Sequence, residues 1–135
     1  MRIRPGASSF PTDFRSASSP SAPPGSLRLP YPVADRIAAL QSLLEKRPDD
    51  GRLRFGLALE LLKDDRTEEG VRELRRYLAH SDDEGNAWGR LGAALAELGR
   101  VEEAREAYAK GIEAATRHDH PTMVEEFRVS LEDLS

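Results

Sequence analysis

The sequence repeats itself with a period of 34 residues, and this repeat limits the folds that the chain can adopt. Residues 51–84 and 85–118 share identical residues at six positions, which are Gly51/Gly85, Leu57/Leu91, Leu61/Leu95, Arg66/Arg100, Glu68/Glu102 and Glu69/Glu103. A single helical hairpin is too small to bury its apolar face alone, so hairpins of this length stack on their neighbours and share a continuous core. The period therefore predicts consecutive helical hairpins.

Apolar residues recur at helical spacing from Val33 onward, and no segment shows the alternation that is typical of a β-strand. They form six stripes, which begin at Val33, Leu53, Val71, Trp88, Val101 and Met123. A helix that is apolar along one face must bury that face against another element. The pattern therefore predicts an all-α domain of six helices separated by short breaks.

Several residues mark where these helices start and stop. Pro48 ends the first helix, and Pro121 suits the first turn of the last one, because proline lacks a backbone donor. Thr67 is predicted to cap the third helix, and Ser81–Glu84 is predicted to form a capping box before the fourth. Gly99 follows the fourth helix, where a left-handed residue is expected.

Composition changes sharply near residue 32. Residues 1–32 hold seven of the nine prolines and seven serines, and four arginines with one aspartate give this segment a net charge of +3. Residues 33–135 carry 16 basic and 23 acidic residues, a net charge of −7. Because the first segment lacks the apolar residues of a core, we predict a disordered arm over 1–32 and a helical domain over 33–135. The prolines of residues 1–32 oppose the amphipathic helix that a targeting peptide would need.

Composition also excludes several classes of function. The chain has no cysteine, which excludes disulfide scaffolds, thiolate zinc sites and thiol catalysis. The net charge of the chain is −4, which argues against a nucleic-acid partner. The chain also has no apolar run of about 18 residues, the length that would span a bilayer. We therefore expect no membrane partner and a cytoplasmic location. His118 and His120 have a spacing that suits a metal ion poorly. We therefore expect no metal, no cofactor and no enzymatic activity.

Residues 85–118 carry small, aromatic and acidic residues at fixed spacing, namely Ala87, Trp88, Leu91, Gly92, Leu95, Gly99, Arg100, Glu102, Glu103, Ala104, Tyr108, Lys110, Gly111 and Ile112. This segment resembles a tetratricopeptide (TPR) repeat. Residues 51–84 resemble a weaker copy, with Arg54 where the tryptophan of the family would stand. Residues 33–50 resemble the second helix of a preceding repeat, and residues 119–135 are predicted to form a C-terminal capping helix. The resemblance implies a short right-handed α-solenoid of antiparallel helix pairs, with about two and a half TPR-like repeats.

In TPR proteins the first helix of each pair lines a concave groove that holds an extended or helical peptide. The positions that match this groove are Arg52, Phe55, Leu59, Leu62, Lys63, Asn86, Gly89, Arg90, Ala93, Ala96 and Glu97. The resemblance therefore implies a non-enzymatic protein-interaction module, an adaptor or scaffold whose partner is another protein.

The helical wheel independently indicates an apolar surface on the second helix. Phe55, Leu59 and Leu62 form a stripe beside the core stripe, and Gly89 and Ala93 leave room opposite it. Three occupants remain open for this surface: a partner peptide, a terminal helix of the same chain, or a second copy in a homodimer. A clamp for a C-terminal carboxylate is disfavoured, because the residues at those places are mostly apolar or glycine.

Overall fold

The computed structural model describes residues 33–134, and these residues form six α-helices and no β-strand. The helices are α1 (Val33–Lys46), α2 (Gly51–Lys63), α3 (Thr67–His80), α4 (Asn86–Glu97), α5 (Val101–Arg117) and α6 (Pro121–Asp133). The all-α prediction is confirmed for this part of the chain. The arm predicted over 1–32 lies outside the described residues.

Each helix packs against its neighbours in sequence. The hairpins α2–α3 and α4–α5 make the most extensive interhelical contacts. The hairpins join through α3 and α4, while α1 packs on α2 and α6 packs on α5. Contacts that are local in sequence are typical of a solenoid, in which each unit touches only the next. The predicted helical solenoid is therefore confirmed.

One apolar core runs through both hairpins. Its most buried members are each at most 1% exposed, and they are Ala58 of α2, Leu74 of α3, Ala87, Leu91 and Leu95 of α4, and Ala104 of α5. A second cluster joins α1 to α2 and consists of Ile37, Leu44, Leu57 and Leu61. The predicted apolar stripes thus supply the core, and burial of their surface is the main favourable term in folding.

Two glycines allow the helices of each hairpin to approach closely. A Cβ atom on Gly70 of α3 would lie 2.7 Å from Cδ2 of Leu62, and one on Gly92 of α4 would lie 2.9 Å from Cε2 of Tyr108. Both distances are too short for a real side chain, so a larger residue would overpack the interface. The two hairpins thus share a glycine at the point where their helices meet.

Three of the five connections use the same turn. Asp65, Gly99 and Asp119 have left-handed φ angles of 61°, 78° and 62°. In each turn the next backbone N–H donates to a carbonyl of the preceding helix, with N–O distances of 2.9 Å for Arg66–Leu61, 2.9 Å for Arg100–Leu95 and 2.8 Å for His120–Ala115. This bond satisfies a carbonyl at the helix end. The left-handed residue predicted at Gly99 is confirmed.

An aspartate side chain starts α4. The buried carboxylate of Asp83 accepts hydrogen bonds from the backbone N–H groups of Gly85 and Ala87, both at 2.8 Å. Backbone donors at a helix start have no partner within the helix, so this carboxylate replaces the missing acceptor. The capping box predicted for Ser81–Glu84 is therefore wrong, since Asp83 holds the start of the helix.

An arginine–glutamate ion pair spans the first turn of α3, and an equivalent pair spans the first turn of α5. Nε of Arg66 lies 2.6 Å from Oε1 of Glu69, and Nε of Arg100 lies 2.7 Å from Oε1 of Glu103. The guanidinium hydrogen bonds lower the pKa of both glutamates, because they favour the charged carboxylate. Thr67 is the first residue of α3 and not its cap, so the cap predicted there is wrong.

Candidate binding groove

A groove lies between α2, α4 and α6, which are the first helices of the two hairpins and the helix that follows them. Its cavity has a volume of about 420 Å³. The residues that line it are Leu62 of α2, then Asn86, Gly89, Arg90, Ala93, Ala94 and Glu97 of α4, Tyr108 of α5, and Met123, Glu126, Phe127 and Ser130 of α6. A cavity of this size is in the range of ligand sites, which are usually about 300–1,000 Å³.

Small residues of α4 form the floor of the groove. Gly89 and Ala93 are four residues apart and therefore lie one above the other on the same helix face. Gly89 is half-buried and Ala93 is exposed. With no side chain beyond a methyl group at either position, the floor leaves space between the larger residues of α2 and α6.

The aromatic ring of Phe127 fixes α6 as one wall. This side chain is 8% exposed, and its ring centroid lies 5.7 Å from that of Tyr108. A Cβ atom on Gly89 would lie 2.6 Å from Cε1 of Phe127, and one on Gly111 would lie 2.8 Å from Cε2. The ring therefore sits against two glycines on different helices. It covers the floor at Gly89 and leaves Ala93 exposed.

Polar and charged side chains surround the apolar floor. Asn86, Arg90 and Glu97 of α4 and Glu126 of α6 are exposed and line the groove. Within residues 33–134, no ion pair involves Arg90, Glu97 or Glu126. One cation and two carboxylates are thus available to a bound segment without first breaking an internal salt bridge.

Six of the eleven sequence-predicted site residues line this groove, and they are Leu62, Asn86, Gly89, Arg90, Ala93 and Glu97. Arg52 and Phe55 line a separate recess at the start of α2, together with Tyr77 and Ser81. The remaining three, Leu59, Lys63 and Ala96, lie outside both cavities. The groove therefore contains five of the six predicted residues of α4 but only one of the five on α2.

The apolar stripe predicted on α2 is partly used inside the chain. The Phe55 ring lies 5.1 Å from the ring of Tyr77, and both Phe55 and Leu62 pack against the main core. Burial raises the pKa of the Tyr77 hydroxyl, which lies 3.5 Å from a carboxylate oxygen of Asp83. Leu59 is half-buried. The stripe is therefore less available to a partner than the sequence alone suggests.

Sequence reasoning missed six residues of the groove, namely Ala94, Tyr108, Met123, Glu126, Phe127 and Ser130. Met123 and Phe127 were identified only as part of the apolar stripe on the last helix. That stripe correctly predicts burial of Phe127. It does not indicate which helices receive the ring, although a terminal helix of the same chain was one of the three occupants left open for the α2 surface.

The two histidines near the turn before α6 contact carboxylates of the connection between α3 and α4. Nε2 of His120 lies 2.7 Å from Oε1 of Glu84, and Nε2 of His118 lies 3.3 Å from Oδ2 of Asp82. No three metal-ligating side chains come together within residues 33–134. These pairs join two adjacent turns on the surface.

The sequence matches no protein-family model and no curated protein. Several solved structures have a fold similar to that of this chain. A tetratricopeptide repeat domain protein from Salinibacter ruber is 25% identical, with a TM-score of 0.60 over 65% of this chain and 89% of that one. The protein BPP2914 from Bordetella parapertussis is 28% identical, with a TM-score of 0.63 over 73% of this chain and 85% of that one.

A third similar structure is that of PcrH in complex with the chaperone binding region of PopD. It is 16% identical and has a TM-score of 0.69 over 76% of this chain and 77% of that one. At this identity the similarity concerns the fold alone. None of the helices described between residues 33 and 134 is long and apolar enough to cross a membrane. The helical order, the 34-residue period and these structural neighbours together show that the chain is a TPR-like protein.

Proposed function

We propose that the chain is a protein-interaction module that holds a segment of another protein in the groove between α2, α4 and α6. The observation that carries this proposal is the arrangement of the groove itself. Small residues of α4 form its floor, while Leu62 and Phe127 stand on either side. Such a trough suits an apolar side chain of an amphipathic helix or of an extended peptide.

The charged rim supports the same function. Arg90 and Glu97 lie on α4 beside the floor, and Glu126 lies on α6, which forms one wall of the groove. Exposed charges around an apolar centre are typical of protein interfaces, where they favour correct partners and faster association. We infer a partner segment with an apolar anchor and flanking charges of both signs.

Binding accounts for these groups better than catalysis does. A carboxyl group that acts as a general acid is typically enclosed in an apolar pocket. Glu97 and Glu126 are exposed and face the groove without a charged partner among the described residues. The structural neighbours support this assignment, since PcrH was solved with a bound region of another protein, PopD.

Ala93 offers a direct test of the groove. Random peptides displayed on phage are selected against the full chain, and the affinity of each enriched peptide is measured by fluorescence anisotropy. We expect Ala93→Glu to weaken binding at least about tenfold, or about 1.4 kcal/mol, because its side chain fills the floor. Glutamate is a good helix former, so the fold is expected to persist.

Ala109→Glu is the matched control, because Ala109 is also an exposed alanine in a helix but lies on α5 and does not line the groove. Circular dichroism confirms that both variants are folded. Binding that is unchanged in Ala93→Glu, or weakened equally in both variants, would show that the peptides bind elsewhere and would overturn the proposal.

A further inference from the structure

The floor helix α4 and the wall helix α6 of the groove run in the same direction. A Cβ atom on Gly85, at the start of α4, would lie 2.7 Å from Sδ of Met123, and one on Gly89 would lie 2.6 Å from Cε1 of Phe127. The contacts thus advance by four residues on both helices. Both helices therefore end at the same end of the groove, which we call its C-terminal end. A helix carries a partial negative charge at its C-terminus, so this end receives that charge twice.

Basic residues offset the C-terminal charge of the other four described helices. The last turns of α1, α2, α3 and α5 contain Lys46, Lys63, His80 and Arg117, respectively. Cations at these positions are stabilising because they lie near the negative end of the helix dipole. The last turns of α4 and α6 contain no basic residue. Within residues 33–134, the two helices that lack this compensation are therefore the floor and the wall of the groove.

Acidic side chains add to the negative charge at the C-terminal end of the groove. The last residue of α4 is Glu97, which lines the groove, and the last two residues of α6 are Glu132 and Asp133. All three are exposed, and none forms an ion pair within the part of the chain that the structure describes. These carboxylates are therefore available to a cation from outside the chain.

The cations that follow the ends of these helices, or that end α2, are already paired. Lys63, Arg100 and Arg105 each lie within 3.7 Å of a glutamate three residues away in the chain. Arg105 also donates to the carbonyl of Leu134, directly after α6, but it shares its charge with that glutamate. Arg90 precedes Glu97 by seven residues, or about 10 Å along α4. The charge that remains at the C-terminal end of the groove is therefore negative.

We propose that the segment held in the groove carries a lysine or arginine that contacts Glu97 while its apolar anchor lies on Ala93. This inference rests on the function proposed above and names the chemistry of the partner. Glu97 follows Ala93 by four residues, or about 6 Å along α4. In a helical partner, positions three and four apart are neighbours, so a basic residue one turn from the anchor spans this distance. Complementary charge of this kind favours the correct partner and speeds association.

Selection of peptides against a charge-reversed groove tests the proposal. Random peptides displayed on phage are selected separately against the wild-type chain and against Glu97→Lys. We expect the wild-type chain to enrich lysine and arginine about one turn from the apolar anchor, and Glu97→Lys to enrich aspartate and glutamate there. Glu113→Lys is the matched control, because Glu113 is exposed, lies on α5 and does not line the groove. It should enrich the same peptides as the wild-type chain.

Affinity and stability should change differently in Glu97→Lys. We expect a basic peptide enriched on the wild-type chain to bind this variant at least about tenfold more weakly in fluorescence anisotropy. The thermal unfolding midpoint should stay the same or rise, because lysine offsets the negative end of the α4 dipole. Replacing the basic residue of the peptide by glutamine should reduce the difference in affinity between the two proteins to less than about twofold. A purely structural role of Glu97 would not produce this dependence on the peptide.

Other results would overturn the inference. Wild-type selections with acidic or uncharged residues beside the anchor would contradict it, as would equal affinity of a basic peptide for the wild-type chain and Glu97→Lys. A loss in Glu97→Lys that persists with the glutamine peptide would show that lysine acts by its size. In each of these cases, binding that is still lost in Ala93→Glu would leave the proposed function intact. Selections that enrich no peptide, or binding that neither substitution affects, would overturn both proposals.

Discussion

The ring of Phe127 packs directly on the backbone of Gly89, so that a Cβ atom added to this glycine would lie 2.6 Å from Cε1 of the ring. The contact joins α6 to α4 at the floor of the groove. Because α6 also supplies one wall, the shape of the groove depends on a position where no side chain is present.

Gly89→Ala should therefore destabilise the protein, although alanine is the better helix former. The added methyl group forces the Phe127 ring and α6 to move, at an expected cost of about 1–3 kcal/mol. Gly56→Ala is the control, since the nearest atom to its Cβ would be 3.9 Å away, on Leu40. It should stabilise the chain by up to about 1 kcal/mol. Urea unfolding of both variants measures the difference, and equal stability would contradict the contact.

Leu91→Ala tests the register of the core. This side chain is 1% exposed between the helices of the second hairpin. Its truncation leaves a cavity and should lower the free energy of unfolding by about 2–5 kcal/mol. Val129→Ala removes a comparable number of atoms from a side chain that is 53% exposed and should change stability by less than about 0.5 kcal/mol. Chemical denaturation of the two variants under the same conditions gives the comparison.

Asp83→Ala removes the acceptor for two backbone N–H groups at the start of α4. Both donors lie in a buried region, so we expect a loss of about 1–3 kcal/mol. The adjacent Asp82 is exposed and forms a surface ion pair with Arg117 at 3.0 Å. Its replacement by alanine should cost less than about 1 kcal/mol. Thermal unfolding followed by circular dichroism measures both, and similar losses would refute the assigned role of Asp83.

We expect Glu69 and Glu103 to make the free energy of unfolding depend on pH in the acidic range. The guanidinium hydrogen bonds of Arg66 and Arg100 lower the pKa of these carboxylates in the folded chain. Their contribution is therefore present above the unfolded pKa of about 4.3 and is lost as pH falls through the lowered, folded value. The double variant Glu69→Gln and Glu103→Gln should lose stability less steeply on acidification.

Glu113→Gln serves as the control for that pH series, because Glu113 is exposed and forms no ion pair within residues 33–134. Its unfolding free energy should follow the wild-type pH profile. The measurement is urea unfolding at a series of pH values between about 3 and 7. A wild-type slope that persists in the double variant would show that other groups cause the acid sensitivity.

The sequence predicts features that depend on periodicity. Leu91 and Leu95 recur at helical spacing, and a further period of 34 places them on Leu57 and Leu61, so burial of all four follows from pattern alone. The left-handed residue at Gly99 follows from its position directly after the apolar stripe of α4. Such features are local or repeated, and the same physical rule produces each copy.

The remaining features depend on which helices meet in space. The period does not extend into α6, so nothing in the sequence indicates that Phe127 lies against Gly89. The role of Asp83 at the start of α4 was missed because residues 81–84 are four polar residues in succession that could each have supplied the acceptor. Tertiary burial selects among them. The groove was therefore predictable along α4 and not across to α6.

The left-handed turns at Asp65, Gly99 and Asp119 have a consequence for how such a chain changes length. The first two join helices within a hairpin, whereas the third joins one hairpin to the next helix, yet the backbone reverses by the same hydrogen bond in each. A duplicated hairpin inserted at the turn containing Asp119 would thus be joined by the same left-handed turn that connects the two helices within a hairpin. Growth of the array by duplication requires no new connecting structure at this point.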